Sequence, residues 1–392
     1  MSATETRAQL ARDLMLSFAD RTGLSSERPP QRYLWTDAFA VCNFLELGRT
    51  TGDGRYRELA LRLIRQVHEV LGRHHPDTGR TGWLSGLAEG AGVAHPTRGG
   101  LRIGKKLAER GPDEPFDERL EWDRDGQYFH YLTKWMHALD QTARAMRQPL
   151  FNLWARELAE VAHRAFAYGA AGSRRMVWKM SVDLSRPLVP SMGQHDALDG
   201  LVTCAQLQAT AAELGSASGP NMTDLVADFA TMTTSHDLST ADPLGLGGLL
   251  TDASRVTQLM ARGAFADGEL LDVLLGSALR GLPPYARQGD LEQPASRRLA
   301  FRELGLAIGL RALSLTRDLL GAGQSRPIRP RTKALLAGLA PHLPLGEGIE
   351  SFWLDPAQRQ ARTWLEHLDI NEVMLATALI PDGFLTLKGE DT

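Results

Sequence analysis

A chain of 392 residues, 43% of them hydrophobic, holds enough apolar material for a large core, and a formal net charge of −3 gives no electrostatic footprint for nucleic acid. Cys42 and Cys204 sit in apolar stretches without zinc-ligand spacing, which predicts buried thiols in a reducing compartment. No segment has the pattern of a secretion signal or a membrane span, so a cytoplasmic protein with no membrane partner is expected.

Apolar residues recur at helical spacing along nearly the whole chain. Thr4–Ala19 is amphipathic through Leu10, Leu14, Met15 and Phe18. A hairpin follows, Trp35–Gly48 with Arg55–Leu71, joined by the turn composition of Arg49–Gly54. Next come 127–146 with 150–168, where Pro149 suits the first turn of the second helix. Further pairs read as 197–213 with 223–234, 246–262 with 267–279, and 298–319 with 329–340. Asn371–Ile380 has no partner after it, whereas Thr4–Ala19 has none before it.

If these two segments pack together, six pairs close. The expected fold is therefore all-α, an (α/α)6 toroid in a single domain over residues 1–392, with the amino-terminal helix closing the ring. The first member of each pair is apolar and glycine-studded, as in Leu299–Leu313 with Gly305 and Gly309. The second carries arginines, as in Arg55–Arg73, which is what an inner and a solvated outer ring require. No fixed repeat length recurs, which argues against an open repeat array.

Connections within a pair are short, but three between pairs are long: about 74–126, 169–196 and 341–370. Long connections usually carry function, and these would build a cup where the inner helices begin. The residues there are Arg32, Trp35 and Asp37, then Trp122, Asp125, Tyr128, His130 and Lys134. His195, Asp196 and Asp199 follow, then Glu350 and Trp353, and finally His367 and Glu372. Aromatic rings, carboxylates and imidazoles in alternation are the inventory of a sugar site, in which Trp35, Trp122, Tyr128 and Trp353 would stack on pyranose faces.

Some of these residues have plainer explanations. Asp37 and Asp199 could cap helices, and His137 reads as an interface histidine. His68, His74, His75 and His163 fall on outer helices or their ends and are expected to be solvated. Asp123-Arg124-Asp125 lacks the later carboxylate of a calcium loop and only faintly echoes a terpene-cyclase motif. No metal or cofactor is called for, and nothing fixes the oligomeric state.

The turn Thr51-Gly52-Asp53-Gly54-Arg55-Tyr56, between an aromatic-rich inner helix and its outer partner, resembles the first hairpin of the six-hairpin (α/α)6 group. That group includes unsaturated glucuronyl hydrolases, inverting glycosidases and the N-acylglucosamine 2-epimerase superfamily. The resemblance implies a carbohydrate-active enzyme with a small-molecule sugar substrate. As a glycoside hydrolase, expected to invert, the chain would use a carboxyl pair drawn from Asp125, Asp196, Asp199, Glu350 and Glu372. Asp196, which follows Gly193-Gln194-His195 at a helix start, leads that group, with Glu372 or Asp125 as its partner. As a sugar epimerase or isomerase it would use His130, His195 and His367, with Arg32 or Lys134 polarising oxygen. The abundance of acids favours hydrolysis; a non-catalytic helical scaffold or carbohydrate-binding protein is the third reading.

Overall fold

A computed structural model describes residues 3–75, 79–170, 173–234, 236–265, 268–322 and 328–387. They form two compact units, one of residues 19–236 and one of residues up to 18 together with 237–387.

The chain opens with α1 (Ala3–Arg21), whose Leu14, Met15 and Phe18 are buried. In the unit of residues 19–236, α2 (Leu34–Thr51) and α3 (Gly54–Leu71) form a hairpin. The turn works as its composition predicts. Gly52 takes the left-handed conformation (φ 68°) that ends α2, and the Asp53 side chain accepts from the Arg55 N–H to start α3. The long connection that follows holds α4 (Glu89–Ala94) and α5 (Glu118–Asp123), and β1 (Gln127–Tyr128) then leads into α6 (Phe129–Met146). That helix pairs with α7 (Pro149–Phe166), with proline at the expected first position. Short strands β2 (Ala167–Tyr168), β3 (Arg175–Met176), β4 (Lys179–Met180) and β5 (Pro187–Val189) come before the hairpin of α8 (Asp196–Glu213) and α9 (Thr223–Thr234). Strands β1, β4 and β5 make an antiparallel sheet with Tyr128 opposite Lys179, which the helical periodicity gave no reason to expect.

Helix α6 lies between α2 and α8, and one buried carboxylate ties three helices together. Asp140 accepts from Arg144, Asn152, Gln206 and Thr210, so its charge is neutralised and hydrogen-bonded rather than available for chemistry. His137, read as an interface residue, meets Gln206 at 3.1 Å. His68 departs from expectation: it is buried and accepts the Trp135 indole N–H at 3.2 Å, and desolvation lowers its pKa and holds the ring neutral. His163 is also buried, 3.2 Å from Asp228.

The other unit contains α10 (Pro243–Met260), α11 (Glu269–Arg287), α12 (Ala300–Gly321), α13 (Pro330–Leu339), α14 (Pro344–Leu354), α15 (Arg362–Leu365), α16 (Leu368–Leu379) and α17 (Asp382–Leu385). The expected start of the α11 segment, Asp267, lies outside the described residues, and α11 runs on through Pro283 and Pro284. Helices α10 and α12 touch backbone to backbone. A Cβ on Gly247 would collide with the Gly305 carbonyl, and one on Gly309 would lie 2.6 Å from the Gly247 Cα. The expected pairing of α12 with α13 is replaced. Helix α13 packs on α11, where Thr332 donates to Asp272 at 2.5 Å, and α14 packs on α12 with Gly346 against Leu310. The reason is burial, since Ile349 and Trp353 of α14 present a larger apolar face than Leu336 and Leu339 of α13.

Within this unit α1 reaches the last helices as its lack of a neighbour predicted. Arg7 donates to Glu350 of α14 at 2.7 Å and to the Ala378 carbonyl of α16 at 3.2 Å.

Candidate active site

The amino-terminal ends of α6 and α8 bring four polar side chains together. Asp196 and Asp199 lie in the first turn of α8, and His130 and Lys134 lie a turn apart on α6. Lys134 donates to Asp199 at 3.0 Å, and the His130 Nδ1 stands 3.9 Å from the Asp196 carboxyl.

Asp196 is buried, and Gly193 makes that position possible. The Gly193 N–H donates to its carboxyl at 3.2 Å, and a Cβ at 193 would collide with the same oxygen. Burial pushes the Asp196 carboxyl up to about 8, and the negative charge of Asp199 adds to the rise. Desolvation pulls His130 down to about 4. At neutral pH the two therefore face each other as a carboxylic acid and a neutral imidazole, and the close approach is not an ion pair.

Beside them runs an aromatic wall. Tyr128 stacks on His130 with centroids 5.4 Å apart, and Trp178 lies 5.0 Å from Tyr128 and nearly parallel to His130. Trp122, 51% exposed, meets Trp178 edge-on at 4.8 Å. Tyr131 lies edge-on to His130, and its hydroxyl is 2.7 Å from that of Tyr33. The small sheet builds this wall. Pairing of β1 with β4 sets Tyr128 beside Trp178, and the Phe129 N–H donates to the Trp178 carbonyl at 3.5 Å. Buried Lys179 then donates to the Glu121 carboxylate and to the Glu121 and Arg124 carbonyls, which fixes α5 and its Trp122 against the sheet.

Other expected site residues in this unit have structural duties. Asp125 is buried against Arg102 at 2.5 Å and accepts from the Gly104 and Lys105 N–H groups, so it anchors a loop. Asp37 caps α2 by accepting from the Tyr33 N–H, and buried Arg32 donates to the Thr22 carbonyl. Trp35 is buried against Phe39. His195 immediately precedes α8, at its N-cap.

In the other unit, Glu350 is buried between Arg7 and Arg311. Trp353 is fully buried, donates to Glu303 at 2.8 Å and stacks on Trp364, so it offers no face to a sugar. His367 is exposed beside Phe301, and Glu372 is partly buried on α16. The residues that reading the sequence missed are Tyr131 and Trp178. The first was legible as the i, i+3 companion of Tyr128, but Trp178 lies in a strand connection with no local signal.

Among the described residues, no group of three or more histidine, cysteine, aspartate or glutamate side chains is placed to hold a metal ion, and no helix is long and apolar enough to cross a membrane.

No family model and no curated protein matches the sequence. Among solved structures, the chain is similar to a GH76 α-mannanase of Bacteroides thetaiotaomicron, with a TM-score of 0.54 and 9% identity over 96% of each chain. This likeness settles the fold. The chain has an (α/α)6 fold. Weaker similarities are to a cellobiose 2-epimerase of Spirochaeta thermophila (TM-score 0.44, 12% identity, 79% of this chain and 73% of that one) and to a sugar epimerase from a ruminal bacterium (TM-score 0.48, 10% identity, 86% and 87%).

Proposed function

We propose that this protein is a carbohydrate-active enzyme, specifically a glycoside hydrolase in which Asp196 protonates the leaving oxygen and Asp199 activates water. The observation that carries this reading is the buried Asp196 carboxyl, pushed up to about 8 beside an aspartate paired with Lys134. Glycoside hydrolysis needs one carboxyl that keeps its proton at working pH and a second that stays ionised. Trp122 and Trp178 supply rings on which a sugar can stack, whereas Tyr128, expected to stack, is buried behind them. Asp199 takes the role first expected of Glu372 or Asp125, and the charge of Asp125 is engaged by Arg102. The fold shared with an α-mannanase supports an oligosaccharide substrate.

One observation favours a second reading, sugar epimerisation. The neutral His130 imidazole stands 3.9 Å from a protonated acid, and an uncharged base beside an acid suits removal and return of a proton at a sugar carbon. Incubation with disaccharides and free sugars in deuterated water, followed by proton NMR, separates the two. New anomeric signals mean hydrolysis, and deuterium at a sugar carbon means epimerisation. Silence across the panel overturns both. Glu372→Gln, compared with Asp199→Asn, tests which carboxylate is the second one.

A further inference from the structure

The loop that Asp125 anchors ends on a lysine with an unusual environment. Asp125 accepts from the backbone N–H groups of Gly104 and Lys105, at 3.0 and 3.4 Å, and this fixes where the Lys105 side chain begins. The ammonium lies over the Tyr33 ring, 5.4 Å from its centroid. It is partly withdrawn from water, and desolvation lowers its basicity. Asp123 and Asp125 favour its charge from a distance, but no acceptor among the described residues hydrogen-bonds it. The Tyr33 ring beneath it belongs to the hydroxyl pair with Tyr131. Two hydroxyls that share a single hydrogen bond use one O–H and leave the other without an acceptor. At one end of the aromatic wall an ammonium and one phenol O–H thus lack a hydrogen-bond acceptor among the described residues. A partly desolvated ammonium without a hydrogen-bond acceptor costs free energy unless a ligand supplies one.

We propose that Lys105 and the Tyr33–Tyr131 hydroxyl pair form a subsite for an anionic oxygen group on the substrate, a carboxylate or a phosphate carried by the sugar. This rests on reading the neighbouring residues as a sugar site. The chain of contacts from Lys105 to Tyr33, Tyr131 and His130 places the subsite beside the reacting centre, not in it. Lys105 would act as a specificity determinant, since the ammonium rewards an acidic sugar and gains nothing from a neutral one.

The test is binding to the full chain, measured by ligand-observed NMR with three probes: glucuronate, glucose 6-phosphate and glucose. At least one of the two acids should bind tenfold or more tighter than glucose, and which acid does so identifies the group. Lys105→Met should erase the preference, and Tyr33→Phe should weaken the acid severalfold. Exposed Lys106→Met and the acid-base variant Asp196→Asn should both retain it. Equal binding of glucose and both acids, a preference that survives Lys105→Met, or failure of all three probes to bind would overturn the subsite. Acid binding without turnover of any sugar would uphold the subsite and overturn the enzymatic reading, so the two can fail separately.

Discussion

His130 and Asp196 face each other across 3.9 Å as two uncharged groups, although one is a base and the other an acid. In water the same pair would exchange a proton and attract. Here both charged forms are disfavoured by burial, and the negative charge of Asp199 further opposes a second carboxylate beside it. The proton therefore stays on oxygen, where a glycosidic leaving group needs it.

Replacing Asp196 by asparagine keeps the shape and removes the titrating proton. Turnover should fall by about 10²- to 10⁴-fold, with an unchanged circular-dichroism spectrum. Near-normal turnover in this variant, together with loss of turnover in His130→Gln, would hand the reaction to the imidazole.

The same carboxyl makes a signed prediction for stability. Its folded pKa is raised from 3.8 to about 8, so its contribution is fully present at low pH and is lost as pH rises through that window. Melting temperatures of the parent should therefore fall relative to Asp196→Asn between about pH 4 and pH 8, and the gap should then hold steady. His130 works in the opposite sense. Its pKa is lowered from 6.5 to about 4, so its contribution is lost as pH falls through that interval, and His130→Gln should flatten the acid side.

Lys134 lowers the pKa of Asp196 through its positive charge. The alkaline limb of kcat/KM should lie near pH 8 in the parent and move upward in Lys134→Met. A limb that stays in place would mean that some other group governs it.

Trp122→Ala should raise KM several-fold and leave kcat within about twofold, because an aromatic pair is worth roughly 0.5–1.5 kcal/mol beyond the area it buries. Trp178→Ala should do more, since that ring touches Tyr128 as well as Trp122. A fall in kcat alone would argue against stacking.

Arg7→Ala removes the guanidinium from the buried Glu350 carboxylate and from the Ala378 carbonyl. Stability should drop by about 1–3 kcal/mol in chemical denaturation. The pair Arg7→Ala with Glu350→Gln should lose less than the two single losses added, because the two side chains share one hydrogen bond.

The helical hairpins were legible because burial on one face imposes a 3.6-residue period, and the α2–α3 turn was legible because Gly52 and Asp53 have local conformational duties. Helix α14 was hidden behind Pro341 and Pro344, which read as loop, although Pro344 stands at the first turn of that helix. Asp196 could be picked out from the glycine turn before it. The burial that raises its pKa could not, because its neighbours come from α6. Asp125 misled for the same reason: its partner Arg102 is distant in sequence, and only the folded loop brings the two charges together. The wall of Trp122, Tyr128 and Trp178 depends on strand pairing, which two-residue strands leave no pattern to reveal.

The closest contacts between α10 and α12 are glycine backbone at Gly247, Gly305 and Gly309, with the Leu244 side chain beside Gly305. Where glycine meets glycine there are no rotamers to freeze, so those contacts are opposed by backbone entropy and not by side-chain entropy. Warming loosens packed side chains by letting them hop between wells, and the glycine contacts have none to hop. Amide protons along these two helices should be among the slowest in their unit to exchange with solvent, and the seam should be the last part of that unit to loosen on heating.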